Sequence, residues 1–339
     1  MTSATPTSLW RNVRRWLPGV IISIVALFLV FRVVTFQDMG KAMASVQAPN
    51  LLIAIAISIV SMVIRGGAWK VLLGNRPSIF QCFFIINEGY LLNNLFPLKA
   101  GEIGRAVFMG KAIKISPFHV LSTIVIERAF DLIFAATLLL FTLPLALGLD
   151  WARSAGIATL IFMVALLAAL FLMARYTAQV HTIALKIGER WKLFNRYVIP
   201  QVDSLLDGLS ALTNARRFFL SLALIAATWV SWISIYYVMI ISVAPAAPIW
   251  WAMFADSLLA LGVAIPSAPA GLGVYEAALV LALTILGIAQ PTALAVAIIL
   301  HFMQFGITSI FGFWGILRER QSLSTLFSDI QIQQTKPTE

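Results

Sequence analysis

The stretch Asn93-Asn94-Leu95-Phe96-Pro97-Leu98-Lys99-Ala100-Gly101-Glu102-Ile103-Gly104-Arg105 decides how this chain is read. It breaks an apolar run from about 79 to 115, and Pro97 and Gly101 disrupt regular helix hydrogen bonding in the middle of that run. Backbone groups freed at such a point must face protein or water, because lipid offers them no partner. Pro266-Ser267-Ala268-Pro269-Ala270-Gly271-Leu272-Gly273 breaks a further apolar run, from about 250 to 288, in the same way.

Outside these breaks the chain is apolar nearly throughout. Its 339 residues are 60% hydrophobic and 11% charged, with a mean hydropathy of +0.93, far from the balance of a soluble domain. A hydrocarbon core of roughly 30 Å takes about 20 apolar residues to cross. Full spans are predicted at about 17–34, 51–70, 118–147, 154–174, 218–243 and 291–317. The fold class is therefore an all-α polytopic membrane protein with about six full transmembrane helices and two broken re-entrant hairpins. Residues 1–16 form a basic cytoplasmic N-terminus, 17–320 a single transmembrane domain and 321–339 a polar cytoplasmic tail.

Arg11, Arg14 and Arg15 precede the apolar stretch Leu17 to Phe31, but the Ala42-Met43-Ala44 site lies too far beyond it for signal cleavage, so a retained first span is expected. Cys82 is the single cysteine, which excludes an intramolecular disulfide and a thiolate metal cluster. The net charge of +10 does not indicate nucleic acid, because the basic residues sit beside apolar spans and lack interleaved aromatics. No cofactor or metal is expected.

Orientation follows from the basic residues. If the first broken run crossed the bilayer once, Lys99, Arg105, Lys111 and Lys114 would lie outside. As a re-entrant hairpin it keeps them in the cytoplasm. Of the 24 Lys and Arg residues, this leaves only Arg32, Lys41 and Arg153 outside, Arg128 within the membrane, and the rest with both chain ends in the cytoplasm. The location implied is the inner, cytoplasmic membrane. Residues 175–217 read as a cytoplasmic amphipathic insertion, either at the membrane surface or as a solvated helix.

Ala100-Gly101-Glu102-Ile103-Gly104 resembles Ala270-Gly271-Leu272-Gly273, each just past a proline-containing break and each followed by a long apolar helix. Two units of span, hairpin and span would enter the bilayer from opposite sides. This is the pattern of an inverted repeat, with a substrate site where the broken helices meet near the midplane.

Glu127, Arg128 and Asp131 fall inside an apolar span, where each ionised group costs about 2.5 to 3.5 kcal/mol at the helix centre. Glu127 lies about 14 Å along the helix, near mid-bilayer. The three either form an ion pair that locks this helix to a hairpin or serve a substrate pathway. Asn94, Lys99, Glu102 and Arg105 surround the first break, where Arg can grip a phosphate with two parallel bonds. Lys99 reads equally as an interfacial anchor, and Arg105, which follows the Gly-Glu turn, less so. Glu88, Asp256 and His301 are candidate proton carriers or structural hydrogen-bonding groups, and Glu276, just past the second break, shares that ambiguity.

Gly104 to Gly110-Lys111-Ala112 is a near miss to a phosphate loop, with one residue too many and no Ser or Thr, so ATP hydrolysis is not expected. Neither Gly-x-Ser-x-Gly nor His-Glu-x-x-His occurs.

The ordered motifs Asn93 to Arg105, Glu127-Arg128-Ala129-Phe130-Asp131 and Pro266 to Glu276 resemble the flippase-like transmembrane region of the lysylphosphatidylglycerol synthase family, over about residues 15–320. In the larger synthases that region is thought to move aminoacylated phospholipid between leaflets while a soluble domain makes it. The resemblance implies a stand-alone member that translocates a lipid or lipid-linked substrate with an anionic headgroup. It implies a transporter rather than an enzyme, with membrane lipids, and a separately encoded lipid or glycolipid synthase, as partners. Substrate contacts would fall to Asn94, Lys99, Glu102, Arg105, Glu127, Arg128, Asp131 and Glu276. The breaks would fall at Pro97, Gly101, Pro266, Pro269, Gly271 and Gly273. Two other readings stand beside it: a membrane-embedded transferase acting on polyprenyl-phosphate lipid with Glu127 or Asp131 as base, and a non-catalytic anchor for a separate synthase.

Overall fold

A computed structural model of the chain describes residues 47–96, 100–148, 152–190, 214–264 and 267–318, with isolated positions before these. Pro97, Lys99, Pro266, most of the expected span at 17–34, residues 191–213 of the insertion and the tail lie outside the described residues.

The described residues are helical: α1 Ala48–Leu72, α2 Ile79–Leu95, α3 Ala100–Ile113, α4 Pro117–Ala146, α5 Ala152–Arg175, α6 Thr177–Arg190, α7 Ala215–Val243, α8 Trp250–Gly262, a 3-10 turn Pro269–Gly271, α9 Val274–Ile285 and α10 Gln290–Arg318. Among them α1, α4, α7 and α10 are long and apolar enough to cross a membrane. The protein is a polytopic membrane protein.

Local chemistry sets the hairpin boundaries. The Ser78 hydroxyl accepts from the Gln81 N–H while the Gln81 side chain reaches back to the Ser78 N–H, a capping box that starts α2. The helix stops at Leu95 because Phe96 precedes proline and is held extended, at φ −120° and ψ 143°. α3 then folds back along α2. A Cβ on Gly101 would collide with the Gly89 carbonyl, and one on Gly104 with Leu92. The Gly101 N–H donates to Asn93 Oδ1 at 2.7 Å, satisfying a donor at the start of α3. At about 26 Å and 21 Å, α2 and α3 fall short of a full crossing, as arms of a re-entrant hairpin must.

The second hairpin follows the same plan. α8 and α9 meet where Gly262 abuts Ala278. The turn between them carries Ala270, Gly271 and Gly273 at φ of 59°, 75° and 84°. Ala270 pays a steric cost in that left-handed conformation that the glycines avoid.

The two units are arranged antiparallel. α1 and α7 run in opposite directions, since Gly67 faces Leu224 and Gly74 faces Arg217. Each unit's hairpin leans on the other unit's last span: α2 packs on α10 and α8 on α4. Gly312 and Gly315 of α10 lie directly against Asn87, Leu91 and Glu88 of α2. This reciprocity is what two inverted copies around a central axis produce. α5 packs outside α4, with Phe171 edge-on to Phe218 at 5.1 Å. The largest buried clusters gather Trp69, Phe108, Phe130 and Phe218 in one and Tyr236, Phe254, Leu283 and Leu300 in another.

Lys70, Arg76, Lys111, Lys114, Arg216, Arg217 and Arg318 all lie where α1, α3 and α10 end and α2, α4 and α7 begin. At the opposite end, segments 146–148, 244–249 and 286–289 hold no Lys or Arg.

Gly101→Ala should lower the melting temperature of the detergent-purified protein by an amount corresponding to about 1 to 3 kcal/mol, the usual cost of overpacking. Gly306 of α10 has open space around it, so Gly306→Ala should be neutral or slightly stabilising. Equal melting temperatures for wild type and Gly101→Ala would contradict the close approach.

Candidate functional site

Glu127 is the hub of a buried charged cluster. It sits about 15 Å into α4, fully buried. Arg105, from α3, approaches as a fork: Nη1 donates to Oε1 and Nη2 to Oε2, both at 3.2 Å. Its guanidinium lies over the Trp69 ring at 4.3 Å from the centroid. Trp69 is itself fixed by donating from Nε1 to Thr123 Oγ1 at 3.1 Å.

Arg65, from α1, donates to Glu127 Oε1 at 2.7 Å and to both carboxylate oxygens of Asp131, at 3.0 Å and 2.5 Å. Trp229 of α7 donates from Nε1 to Asp131 Oδ1 at 3.2 Å. Arg128 completes the set, donating to Glu127 Oε1 at 3.1 Å and Asp131 Oδ2 at 3.2 Å, and meeting Glu102 Oε1 at 3.4 Å. Three arginines are matched by Glu102, Glu127 and Asp131, so the cluster carries no net formal charge. Desolvation alone would forbid any one of these charges at this depth. Pairing and hydrogen bonding together make the set tolerable.

The arginines differ in access. Their side chains are 8% exposed at Arg65, 1% at Arg105 and 42% at Arg128. Arg128 opens into two adjoining cavities that share Tyr90, Glu102, Arg128, Tyr275 and Gln304. The larger, about 610 Å³, runs between α4, α7 and α8 past Leu121, Val125, Leu132, Trp229, Trp232, Tyr236 and Asp256. The smaller, about 410 Å³, lies between the two breaks, against Asn94, Ala270, Gly271 and His301.

The structure thus brings Glu102, Arg105, Glu127, Arg128 and Asp131 together. Arg105 lines neither cavity, because both of its terminal nitrogens face Glu127. Asn94 donates to Thr308 Oγ1 and Ser309 Oγ, at 3.1 Å and 3.2 Å, and so ties α2 to α10 at the edge of the smaller cavity. Glu88 is buried against Gly315, away from the cluster. Asp256 lines the far wall of the larger cavity. Glu276 and His301 meet each other at the second break.

One correction concerns Arg65, which the sequence tally places with the cytoplasmic residues. It lies within α1, turned inward onto α4. Its position two turns from the end of an apolar run is indistinguishable by sequence from a snorkelling anchor, and its partners come from another helix.

The profile of the lysylphosphatidylglycerol synthase TM region matches residues 16–312, most of the chain. The chain belongs to the lysylphosphatidylglycerol synthase transmembrane family. Two UPF0104 membrane proteins of Methanocaldococcus jannaschii are similar to it. One is 24% identical over 228 residues, spanning 65% of this chain and 91% of that protein. The other is 27% identical over 128 residues, 36% of this chain, and the match spans only 37% of that protein. Membership of the lysylphosphatidylglycerol synthase transmembrane family points to a membrane lipid-related function.

Arg105→Ala should strip Glu127 of its buried fork and destabilise the protein by about 3 to 5 kcal/mol. Arg128→Ala, at the more exposed arginine, should cost about 1 kcal/mol or less. Melting curves of the two variants in one detergent check this ordering, and a reversal would mean that Arg128 holds the cluster together.

Proposed function

We propose that this chain moves a lipid or lipid-linked molecule with a phosphate-bearing, anionic headgroup between bilayer leaflets, without ATP hydrolysis of its own. The observation that carries this reading is the Arg128 side chain, 42% exposed toward the cavity, where those of Arg65 and Arg105 are 8% and 1% exposed. A phosphate entering from lipid meets in Arg128 a cation able to form charge-assisted bonds and already oriented by its carboxylate partners.

The neutral balance of the cluster supports exchange rather than trapping. A phosphate on Arg128 takes the place of Glu102 or Asp131, and the displaced carboxylate is then available to a proton or to an amine on the headgroup. The site keeps a similar charge loaded and empty, as a translocation intermediate requires. The apolar wall of the larger cavity, with Leu121, Val125 and Leu132 spaced along one stripe of α4, offers a lane for an acyl or isoprenoid chain. The end of the molecule bearing Lys111, Arg216 and Arg217 is the cytoplasmic one in this reading, in an inner membrane.

In vesicles containing the purified protein and fluorescent phosphatidylglycerol, probe that starts in the inner leaflet should quickly become accessible to an external membrane-impermeant quencher with wild type. With Arg128→Ala it should do so about tenfold more slowly or worse, the cost of losing one charged hydrogen-bond donor. Arg128→Lys should fall between them, since a point charge replaces the fork. Equal rates for wild type and Arg128→Ala, with both proteins folded, would sink the proposal.

A further inference from the structure

The second break contains a couple that the headgroup reading does not use. His301 of α10 has both ring nitrogens facing acceptors. Nδ1 lies 2.5 Å from Glu276 Oε1, and Nε2 lies 3.0 Å from the Ala270 carbonyl oxygen. A backbone carbonyl only accepts, so Nε2 carries a hydrogen. The short contact to Glu276 needs a second hydrogen, because a bare ring nitrogen and a carboxylate oxygen would present lone pairs to each other. The couple therefore holds one proton beyond neutral imidazole and free carboxylate. Glu276 is fixed from its other side, where Oε2 accepts from the Gly273 N–H at 2.7 Å.

We propose that Glu276 and His301 form a proton-binding site whose occupancy latches the second re-entrant break to α10, so that transport through the cavity is linked to protons. With the extra proton lost, one ring hydrogen remains for two acceptors. The carboxylate takes it, as the stronger acceptor. The ring then keeps Nδ1–H toward Glu276, and its bare Nε2 confronts the Ala270 carbonyl. That carbonyl belongs to a turn in which Ala270 is held at φ 59°, a conformation an L-residue keeps only where its surroundings enforce it. Release of the carbonyl frees the turn that walls the smaller cavity beside Arg128.

The first unit shows why the second is the moving one. There, Arg105 on the second hairpin arm pairs with Glu127 on the following span. Here, Glu276 on the second arm pairs with His301 on the following span. Arginine keeps its proton in proteins, whereas histidine changes charge near neutral pH. The contact from the second arm to the following span is thus held by an arginine in one unit and by a histidine in the other.

Among the described residues, the groups around the couple are few. Tyr275 of α9 stacks on His301 at 4.2 Å between centroids, and its hydroxyl meets Tyr236 of α7 at 3.2 Å. Asp256 of α8 lies beyond those two rings on the wall of the larger cavity. Across the smaller cavity stand Arg128 of α4 and Glu102 of α3, with Tyr90 and Asn94 of α2. Glu88 of α2 is displaced along α10, at Gly315.

The link to transport rests on the lipid reading above, while the latch itself can be read without any lipid. The chain has three histidines, so 15N-histidine NMR of the full protein in detergent micelles resolves the ring directly, with His301 identified by its loss in His301→Gln. Where the couple holds its extra proton, Nε2 of His301 should carry hydrogen, and raising the pH should convert the ring to the Nδ1–H tautomer in a single step. Backbone hydrogen exchange in residues 267–273, corrected for its intrinsic pH dependence, should lose about tenfold protection at the same step. His301→Gln, which cannot titrate, should show no step. These outcomes support the latch whether or not the vesicle assay detects lipid movement. An Nε2 bare across the whole range, or an exchange step retained in His301→Gln, would overturn it.

Discussion

The carboxylate of Glu127 is the constraint around which this molecule is organised. It takes hydrogen bonds from three arginines on three helices, at a depth where none of the four charges could persist alone. Because Arg105 uses both terminal nitrogens on it, α3 cannot slide along α4. Because Arg65 bridges it to Asp131, α1 is fixed against the same face. The first hairpin, the span before it and the span after it are thereby joined at one atom pair. What remains adjustable is Arg128, the member of the set with room to let go.

Much of the architecture could be read directly from the sequence. Hydropathy places α1, α4, α5, α7 and α10 within a few residues of where they lie, and the two proline-containing breaks separate α2 from α3 and α8 from α9. Local rules suffice there: Phe96 is extended because a proline follows, and α2 starts where Ser78 and Gln81 can cap each other. The inverted repeat was visible only as an Ala-Gly pair recurring past each break, and the antiparallel contact of α1 with α7 gives it physical content.

The site was legible in part, and what was missed has a common cause. Glu127, Arg128 and Asp131 stand out because charges in an apolar run are costly, and Glu102 and Arg105 because they adjoin a break. Which of them is free to meet a ligand depends on partners from distant helices. Arg105 has the residue type and the position of a phosphate-gripping residue, yet Glu127 takes both of its terminal nitrogens. Arg65 reads as an anchor until α4 is seen beside it. Glu276 and His301 each look like isolated polar residues, and only the fold sets them against each other.

The exchange of partners between the two units, α2 on α10 and α8 on α4, has a consequence for biosynthesis. The surface of α2 that accepts Gly312 and Gly315 finds no match until the last described helix has been made, some two hundred residues later. While the ribosome is still working, the first hairpin is a short, interrupted helix pair with a polar seam and an unfilled flank, poorly suited to rest in lipid. A chain cut before α10 would therefore leave that flank of α2 uncovered.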